Sequence, residues 1–320
     1  MLINELFKIR NLKVKFNPSN NKVDLDIPNL NIPRGKLTFI LGNSGSGKTT
    51  LIETLGLMSN YFNKDAQITF YPNSDSEGID YSIIWKNEDK LSEIRKNYFS
   101  FMFQNENLFP QFNVLENVML TPIIQNSEKT KAKNDAMNQL SFLQIGDKFE
   151  NSITELSGGE RQRVSFARTT LEKGFILFAD EPTGNLGKED AFLILNYIYS
   201  YVNNPCSNNT ALVVTHNINT ALEYADNIII ITQNEEKNIV LEENIINEKE
   251  LKTSKDSLSN KDRRNELTKL IDERLKLSSE KNKKNIEPNF VHTYKKSNKS
   301  KNYDDKEFIH FYSKKSTKDI

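Results

Sequence analysis

The fold of this chain is decided by the stretch Gly42-Asn43-Ser44-Gly45-Ser46-Gly47-Lys48-Thr49. The apolar run Lys36–Leu41 precedes it, and a segment with helical periodicity, residues 48–58, begins at its end. Glycines let successive backbone N–H groups curl around a phosphate, and the start of a helix adds about half a positive charge there. The order of strand, glycine-rich loop and helix therefore predicts a phosphate-binding loop.

The side chains of this loop predict further contacts to a nucleotide. We expect the ammonium group of Lys48 to reach the outer phosphates and the hydroxyl group of Thr49 to ligate magnesium. The bound molecule is then expected to be ATP with Mg²⁺. The residues predicted to bind it through this loop are Gly42, Asn43, Ser44, Gly45, Ser46, Gly47, Lys48, Thr49 and Thr50.

A second apolar run, Phe175–Ala179, ends in two carboxylates, Asp180 and Glu181. If this run is a buried strand parallel to the first, Asp180 lies beside the phosphate loop and can ligate magnesium. Glu181 then points elsewhere and can polarise a water molecule for attack on the γ-phosphate. Acids at strand ends are common, so this motif alone is weak evidence. It becomes informative only because the phosphate loop accompanies it.

The rest of the first 233 residues alternates between strand-like runs and helix-like stretches. The predicted strands include Leu6–Phe16, Gln67–Phe70, Tyr81–Trp85, Tyr98–Phe103, Ala211–Thr215 and Asn227–Thr232. Helical periodicity marks residues 113–149, 159–173, 188–202 and 220–225. Such alternation predicts an α/β fold with a mostly parallel sheet covered on both faces. The helical stretch at about 105–165 interrupts the alternation and indicates an inserted subdomain.

Composition excludes several classes of protein. The 320 residues include 43 Lys and Arg and 43 Asp and Glu, so the formal net charge is zero and a wholly basic nucleic-acid coat is excluded. The apolar runs fall far short of the roughly 20 residues that span a bilayer. A single cysteine cannot form an internal disulfide, which fits a reducing compartment. We expect a soluble cytosolic chain.

The composition changes near residue 233, and beyond it Lys, Asn, Ser and Glu dominate. We therefore divide the chain into a nucleotide-binding domain, 1–240, and a tail, 241–320, that is predicted to be largely disordered. One segment of the tail, Arg263–Leu277, shows helical periodicity. Three interpretations of the tail stay open: a solvated extension, a basic segment that rests on anionic lipid, and a regulatory or protein-binding segment.

The stretch Leu156-Ser157-Gly158-Gly159-Glu160-Arg161-Gln162-Arg163 identifies the family. The chain here resembles the ATP-binding subunit of ABC transporters, whose signature sequence is LSGGQ. Three further residues stand where that family has its Q-loop glutamine, its switch histidine and an aromatic ring that stacks on adenine: Gln104, His216 and Phe16. Alone, the first two are more often structural residues, and Phe16 suits a core equally well. The resemblance covers residues 1 to about 235.

A narrower resemblance points to one bacterial branch. Residues 103–118, FQNENLFPQFNVLENV, and residues 179–186, ADEPTGNL, resemble the lipoprotein-release (LolD-type), macrolide-export (MacB-type) and cell-division (FtsE-type) ATPases. The branch implies a separate transmembrane permease as partner and a location on the cytoplasmic face of the membrane. The family fold implied is a P-loop NTPase core with an N-terminal antiparallel β-subdomain and an inserted helical signature subdomain.

The resemblance also implies a dimer, of identical or different chains, that buries two ATP molecules between its subunits. Each nucleotide would lie on one subunit's phosphate loop and, in trans, under Ser157, Gly158, Gly159 and Glu160 of the other. Thr49, Gln104 and Asp180 would hold Mg²⁺. The implied catalytic residues are Glu181, His216, Gln104 and Lys48. Arg161 and Arg163, on the signature helix, are expected to be structural ion-pair partners.

Two positions depart from the family pattern. Glu160 replaces the usual Gln of the signature, and its side chain is expected near the dimer interface. Gly187 stands where the branch normally has an Asp that crosses the interface. We therefore expect slower or less tightly coupled hydrolysis, or a dimer partner that is a different chain. ATP binding itself should persist.

Two other functions are kept as alternatives. One is a soluble ABC-type ATPase that acts on ribosomes or nucleic acid without a permease, which only the basic tail favours. Its relatives usually carry two ATPase domains or long insertions, whereas this chain has neither. The other is a binding-only regulator that no longer hydrolyses ATP, which Gly187 leaves possible but the intact Lys48, Asp180, Glu181 and His216 argue against.

Overall fold

The computed structural model describes residues 4–15, 25–60, 62–75, 77–171, 174–205, 207–233, 238–240, 245–247, 250–251 and 260–276. Within these ranges the strands join into one sheet in the order β5-β4-β1-β2-β10-β9-β3-β8-β7-β6, and β11 pairs with β9. The strands are β1 (Glu5–Val14), β2 (Leu25–Pro33), β3 (Leu37–Gly42), β4 (Gln67–Phe70), β5 (Ile79–Asp80), β6 (Phe99–Met102), β7 (Ile176–Asp180), β8 (Thr210–Thr215), β9 (Asn227–Gln233), β10 (Asn238–Ile239) and β11 (Ile245–Ile246).

The sheet has two parts of different strand direction. Strands β9, β3, β8, β7 and β6 are parallel neighbours, whereas β2, β1, β4 and β5 pair in antiparallel fashion. Strand β10 joins the parts by pairing parallel to β2 and antiparallel to β9. The predicted α/β fold with a mostly parallel sheet and an N-terminal antiparallel region is thereby confirmed.

Helices cover both faces of this sheet. They are α1 (Lys48–Leu55), α2 (Tyr81–Ile84), α3 (Glu88–Tyr98), α4 (Val114–Ile124), α5 (Lys129–Phe142), α6 (Gly158–Thr170), α7 (Lys188–Val202), α8 (Ile218–Tyr224) and α9 (Asn260–Lys276). Helices α4, α5 and α6 pack on one another between β6 and β7 in chain order and form the inserted helical layer. No helix in the described ranges is both long and apolar enough to span a bilayer.

The prediction of a strand at Tyr81–Trp85 is wrong, because Tyr81–Ile84 is helix α2 and only Ile79–Asp80 before it is a strand. Asp80 caps the helix by accepting a hydrogen bond from the backbone N–H of Ser82 at 2.8 Å. Tyr81 and Ile84, three residues apart, are both buried on one side of the helix. A run this short fits a strand or a helix turn equally well in sequence, and the cap decides.

The carboxyl ends of three parallel strands meet at one edge of the sheet. Leu41 in β3 lies opposite Thr215 in β8, and Asp180 in β7 lies opposite Val214. Strand β3 is buried along its whole length, as an inner strand of a parallel sheet must be. The phosphate loop, the two carboxylates and the residue after β8 are therefore neighbours.

Part of the tail segment also packs on this core. Strand β11 pairs with β9, and α9 covers the same region with Leu267 and Ile271 fully or almost fully buried. Near its start Arg264 donates a hydrogen bond to the carbonyl oxygen of Asn219 at 3.2 Å. At its end the carbonyl oxygen of Leu275 accepts one from Nδ2 of Asn43 at 3.3 Å. Residues 277–320, the greater part of the predicted disordered tail, lie outside the described chain.

Candidate active site

The phosphate loop adopts the curled backbone that its glycines allow. Gly45 and Gly47 have φ angles of 73° and 93°, a region that side-chain-bearing residues avoid. The N–H of Ser46 closes the turn by donating to the carbonyl oxygen of Asn43 at 3.1 Å. Gly47 then caps helix α1, so its first N–H groups point into the loop. This is the arrangement that binds a phosphate at the start of a helix.

Lys48 lies inside the loop and is nearly buried. Its Nζ atom donates hydrogen bonds to the carbonyl oxygens of Gly42 and Asn43, both at 2.9 Å. Burial lowers the pKa of Lys48, while the charges of Glu181 and Asp180 act in the opposite direction. The ammonium group is thus held by neutral acceptors within the loop that would surround a phosphate.

Asp180 and Thr49 meet beside the loop, and they fit a magnesium ion. Oγ1 of Thr49 donates a hydrogen bond to Oδ2 of Asp180 at 2.8 Å. The other carboxylate oxygen, Oδ1, is buried and accepts no hydrogen bond from any residue in the described ranges. Burial raises the pKa of Asp180, although Thr49 and Lys48 oppose the shift. A buried carboxylate oxygen with a spare lone pair beside a hydroxyl group is a donor set that Mg²⁺ prefers.

Glu181 and His216 face each other next to this pair. Nδ1 of His216 lies 3.1 Å from both carboxylate oxygens of Glu181. The Glu181 side chain is 15% exposed, whereas that of His216 is 73% exposed. Glu181 has a φ angle of +45°, which is strained for a glutamate. Hydrogen bonds from its N–H to the carbonyl of Val214 and from the N–H of Gly184 to its own carbonyl hold it there.

The signature stretch opens helix α6 on the helical layer. Ser157 is the N-cap: its Oγ accepts from the N–H of Glu160 at 3.3 Å, and its own N–H donates to Oε2 of Glu160 at 2.8 Å. This reciprocal pair is a capping box, which glutamate and glutamine complete equally well. The carboxylate of Glu160, expected near a dimer interface, is turned back onto its own turn. There it also accepts a hydrogen bond from Nζ of Lys148.

Gly159 lies against a side chain of α7. A Cβ atom at this position would lie 2.0–2.3 Å from the carboxyl group of Asp190, which pairs with Arg163 at 2.6 Å. Arg161 lies 3.6 Å from Glu106, so both arginines are the expected ion-pair partners. In the described part of the chain, no hydrogen bond from residues 157–160 reaches the phosphate loop. The chain thus presents two separate places where a helix start can donate hydrogen bonds to an anion, the phosphate loop and the turn of residues 157–160.

Helix α6 and the carboxylate loop are nevertheless linked. Gln162, which is buried, donates a hydrogen bond from Nε2 to the carbonyl oxygen of Pro182 at 3.0 Å. Pro182 follows Glu181 directly. A shift of α6 is therefore felt one residue from the predicted catalytic carboxylate. Sequence reasoning missed Gln162, because an amide within a motif-bearing helix carries no signal of its own.

Two more residues that sequence reasoning missed hold the segment after Gln104. Arg168 on α6 donates to the carbonyl oxygens of Glu106 and Asn107, both at 2.8 Å. Asn117, fully buried, accepts from the N–H of Phe109 at 2.8 Å and donates to the carbonyl of the same residue at 3.0 Å. Gln104 itself is exposed at the end of β6.

The remaining predicted residues are placed less informatively. Phe16 lies outside the described residues, so its stacking on adenine stays a prediction. Ser44 is exposed and Thr50 half-buried within the loop and α1. Gly187 is the N-cap of α7 and has no side chain to cap it, and a Cβ atom there would meet nothing within 4 Å. An Asp at position 187 is therefore compatible with this backbone.

Known proteins resemble the chain in the same regions. The family model described as "ABC transporter" matches residues 25–184. The lipoprotein-releasing system ATP-binding protein LolD of Ehrlichia canis (strain Jake) is 34% identical over 212 residues, which are 66% of this chain and 89% of that protein. The macrolide export ATP-binding/permease protein MacB of Shewanella sp. (strain W3-18-1) is 34% identical over 204 residues, which are 63% of this chain but 29% of that longer protein.

A solved structure shares the fold as well. The dimeric structure of MJ0796, a bacterial ABC transporter cassette, superimposes with a TM-score of 0.60 at 29% identity and covers 70% of this chain and 93% of its own. The same cassette in a post-hydrolysis dimer bound to ADP and Pi matches at 26% identity with a TM-score of 0.59, over the same shares of the two chains.

Proposed function

This chain belongs to the ABC transporter family, and on that premise we propose that it is the ATP-hydrolysing subunit of a transporter whose permease is a separate chain. The observation that carries the proposal is the meeting of Lys48, Thr49, Asp180, Glu181 and His216 at one edge of the sheet. A carboxylate held in an uncommon backbone conformation and faced by a histidine is typical of a catalytic site, which favours hydrolysis over binding alone.

Each residue of this group has a role in hydrolysis. Lys48 exchanges its carbonyl partners for phosphate oxygens and offsets their charge. Glu181 accepts a proton from the water that attacks the γ-phosphorus, and His216 orients the carboxylate. Asp180, Thr49 and the predicted ligand Gln104 would hold Mg²⁺. When bound, that ion neutralises charge on the β- and γ-phosphate oxygens.

The turn of residues 157–160 would complete a nucleotide site in another subunit through the hydroxyl group of Ser157 and the N–H groups of Gly158 and Gly159, since the N–H groups of Ser157 and Glu160 are engaged in the capping box. One open phosphate loop leaves the γ-phosphate partly solvated, whereas a helix start from a partner adds donors and positive potential. Because MJ0796 is dimeric, the same arrangement is proposed for two copies of this chain or for this chain with a related one.

Coupling to the permease is proposed for the segment 104–112. Phe109 and Phe112 expose 48% and 38% of their surfaces there, and Asn117 and Arg168 fix the backbone beneath them. LolD is named as part of a releasing system, and MacB is named as both ATP-binding protein and permease. We accordingly propose that the chain works on the cytoplasmic face of a membrane.

Replacement of Glu181 by Gln tests the hydrolytic role. Loss of the general base should slow ATP turnover about 10²- to 10⁴-fold while ATP binding persists. The variant should therefore accumulate as an ATP-bound dimer in size-exclusion chromatography with light scattering. Glu93→Gln, an exposed carboxylate on α3, is the matched control and should turn over ATP normally. Normal turnover by Glu181→Gln would refute the mechanism.

The Glu181→Gln variant also tests whether a separate permease binds this chain. Used as affinity bait with ATP in detergent-solubilised cells of its source, it should capture a multi-span membrane protein. Capture of ribosomes or DNA-bound proteins without any membrane subunit would instead favour the soluble alternative.

A further inference from the structure

The turn of residues 157–160 at the start of α6, the signature turn, contains a negative charge at the place where it is proposed to meet a phosphate. Glu160 is the third residue of helix α6, and its Oε2 atom accepts the N–H of Ser157 at 2.8 Å. A carboxylate here stabilises the helix because it lies at the positive end of the dipole. The same charge repels a γ-phosphate that approaches the free N–H groups of the turn.

Lys148 supplies the opposite charge from a different element. Its Nζ atom donates a hydrogen bond to Oε1 of Glu160, so the two carboxylate oxygens have separate partners. Residues 146–148 form a short 3₁₀ turn, fixed by hydrogen bonds from the N–H of Lys148 to the carbonyl of Ile145 at 3.2 Å and from the N–H of Asn151 to the carbonyl of Lys148 at 3.0 Å. The lysine is thus delivered by an ordered backbone.

The carboxylate of Glu160 keeps its negative charge at ordinary pH. The hydrogen bonds from Lys148 and Ser157 lower the pKa of Glu160 to about 2. The Glu160 side chain is 17% exposed and that of Lys148 is 34% exposed, so solvent screens their charges only in part. A negative charge is therefore present in the turn at ordinary pH, and Nζ of Lys148 lies against it.

We propose that Lys148 is a positioning residue for the nucleotide bound by the other subunit: it cancels the charge of Glu160 and so keeps the signature turn attractive to the γ-phosphate. This inference rests on the proposed function, in which Ser157, Gly158 and Gly159 act in trans. It assigns to the pair a role in ATP-driven dimerisation, in addition to any contribution to folding.

Four forms of the chain test this role because their pairs differ in net charge. Lys148→Met leaves −1, the parent and the double variant Lys148→Met/Glu160→Gln leave 0, and Glu160→Gln leaves +1. In a Glu181→Gln background, the ATP concentration at half-maximal dimerisation should be highest for Lys148→Met, equal for the two neutral forms and lowest for Glu160→Gln. Each unit of charge should shift it about threefold to tenfold at low salt, and less at high salt.

The order separates this role from a merely structural one. If the ion pair served only to hold the turn together, either single substitution would weaken dimerisation and the double variant would not recover. Urea unfolding of each form gives its stability independently. Lys8→Met, which removes a lysine that lies 3.6 Å from Glu5 on β1, is the control for loss of an ion pair and should leave dimerisation unchanged.

Two failures are distinguishable. A parent that does not dimerise with ATP would refute the proposed function and the inference with it. A parent that dimerises while all four forms require the same ATP concentration would refute only the role of Lys148.

Discussion

Asn117 shows how one side chain fixes the shape of a surface. Its Nδ2 group donates to the carbonyl oxygens of Phe109, Phe112 and Asn113 at 3.0–3.1 Å, and its Oδ1 atom accepts from the N–H of Phe109 at 2.8 Å. The residue is fully buried beneath the two half-exposed phenylalanines. The loop proposed to meet the permease therefore derives its conformation from an amide that no partner touches.

Asn117→Ala should destabilise the protein by about 2–4 kcal/mol, because it leaves several backbone groups without hydrogen-bond partners. Urea unfolding monitored by fluorescence measures this loss. Asn203→Ala removes a single exposed bond to the carbonyl of Tyr199 and should cost about 0.5 kcal/mol or less. Equal effects of the two changes would contradict this account of the loop.

Gly187 allows a second prediction at the scale of one residue. Its backbone has the extended conformation of an N-cap (φ −62°, ψ 163°), and space around it is open. An Asp there can accept the first N–H groups of α7, so Gly187→Asp should raise stability by a few tenths of a kcal/mol. If the missing carboxylate also slows hydrolysis, the variant's ATPase rate should rise, as a phosphate-release assay would show.

Unchanged ATPase and unchanged coupling to the permease in Gly187→Asp would refute the link between this glycine and slow hydrolysis. The predicted gain in stability is independent of that result, because the side chain at the N-cap of α7 acts within one subunit. Gly184→Asp is not a suitable control, because it would place a second carboxylate next to Glu181: a Cβ atom at position 184 would lie 3.6 Å from the Cβ atom of Glu181.

At the scale of elements, helix α9 is attached by a narrow apolar stripe. Leu267 and Ile271, one turn apart, are buried against the core, and Leu270 and Leu275 pack beside them. The other face of the helix is polar. Docking thus depends on few side chains, and α9 should open without unfolding the sheet.

Ile271→Asp should undock α9, because a carboxylate in place of a fully buried isoleucine costs about 3–5 kcal/mol or the whole docking free energy, whichever is smaller. Hydrogen exchange followed by mass spectrometry should show protection lost at residues 260–276 and retained in β3 and β8. Lys269→Asp places the same residue on the exposed face and should leave protection intact. Loss of protection throughout the sheet would contradict independent docking.

The success of sequence reasoning also differed among elements. The phosphate loop, β7 and α7 were predictable because each pairs a strong local signal with a simple period. Strand β2 and helix α3 were not predicted, although Leu25 and Ile27 alternate with polar residues and Asn87 caps the helix. Lys148 and Gln162 act through contacts with other elements, 12 and 20 residues away in the chain, which no local pattern reveals. Asn117 bonds the loop that lies 4–8 residues before it, and the path of that loop has no periodicity to predict it. Their roles required the packed structure.

At the scale of the whole molecule, the fold separates the two sets of groups that are proposed to bind phosphate. The loop after β3 belongs to the sheet, whereas the turn before α6 belongs to the helical layer inserted between β6 and β7. Two copies related by a twofold axis can then join the loop of each to the turn of the other.

Mixing two inactive variants tests this exchange. Lys48→Ala should disable the loop of its own chain, and Gly158→Asp should repel phosphate from the turn. The Asp side chain is sterically allowed, since the nearest atom to its Cβ, on Arg161, is 3.9 Å away. Each mixed dimer keeps one intact site of its two. If the chain forms dimers with itself and the two variants pair at random, half of the dimers are mixed, so the mixture should recover about a quarter of wild-type ATPase activity. A mixture as inactive as its components would contradict shared sites.

The hydrogen bond from Asn43 to the carbonyl oxygen of Leu275 joins the phosphate loop to the end of α9, so nucleotide binding and the docking of α9 are open to thermodynamic linkage. If bound nucleotide strengthens or breaks that bond, it changes the docking equilibrium of α9 by some factor. Reciprocity requires that docking change the affinity for nucleotide by the same factor. Any ligand or modification that acts on α9 far from the site would then act on the phosphate loop, with a magnitude that can be measured from either end.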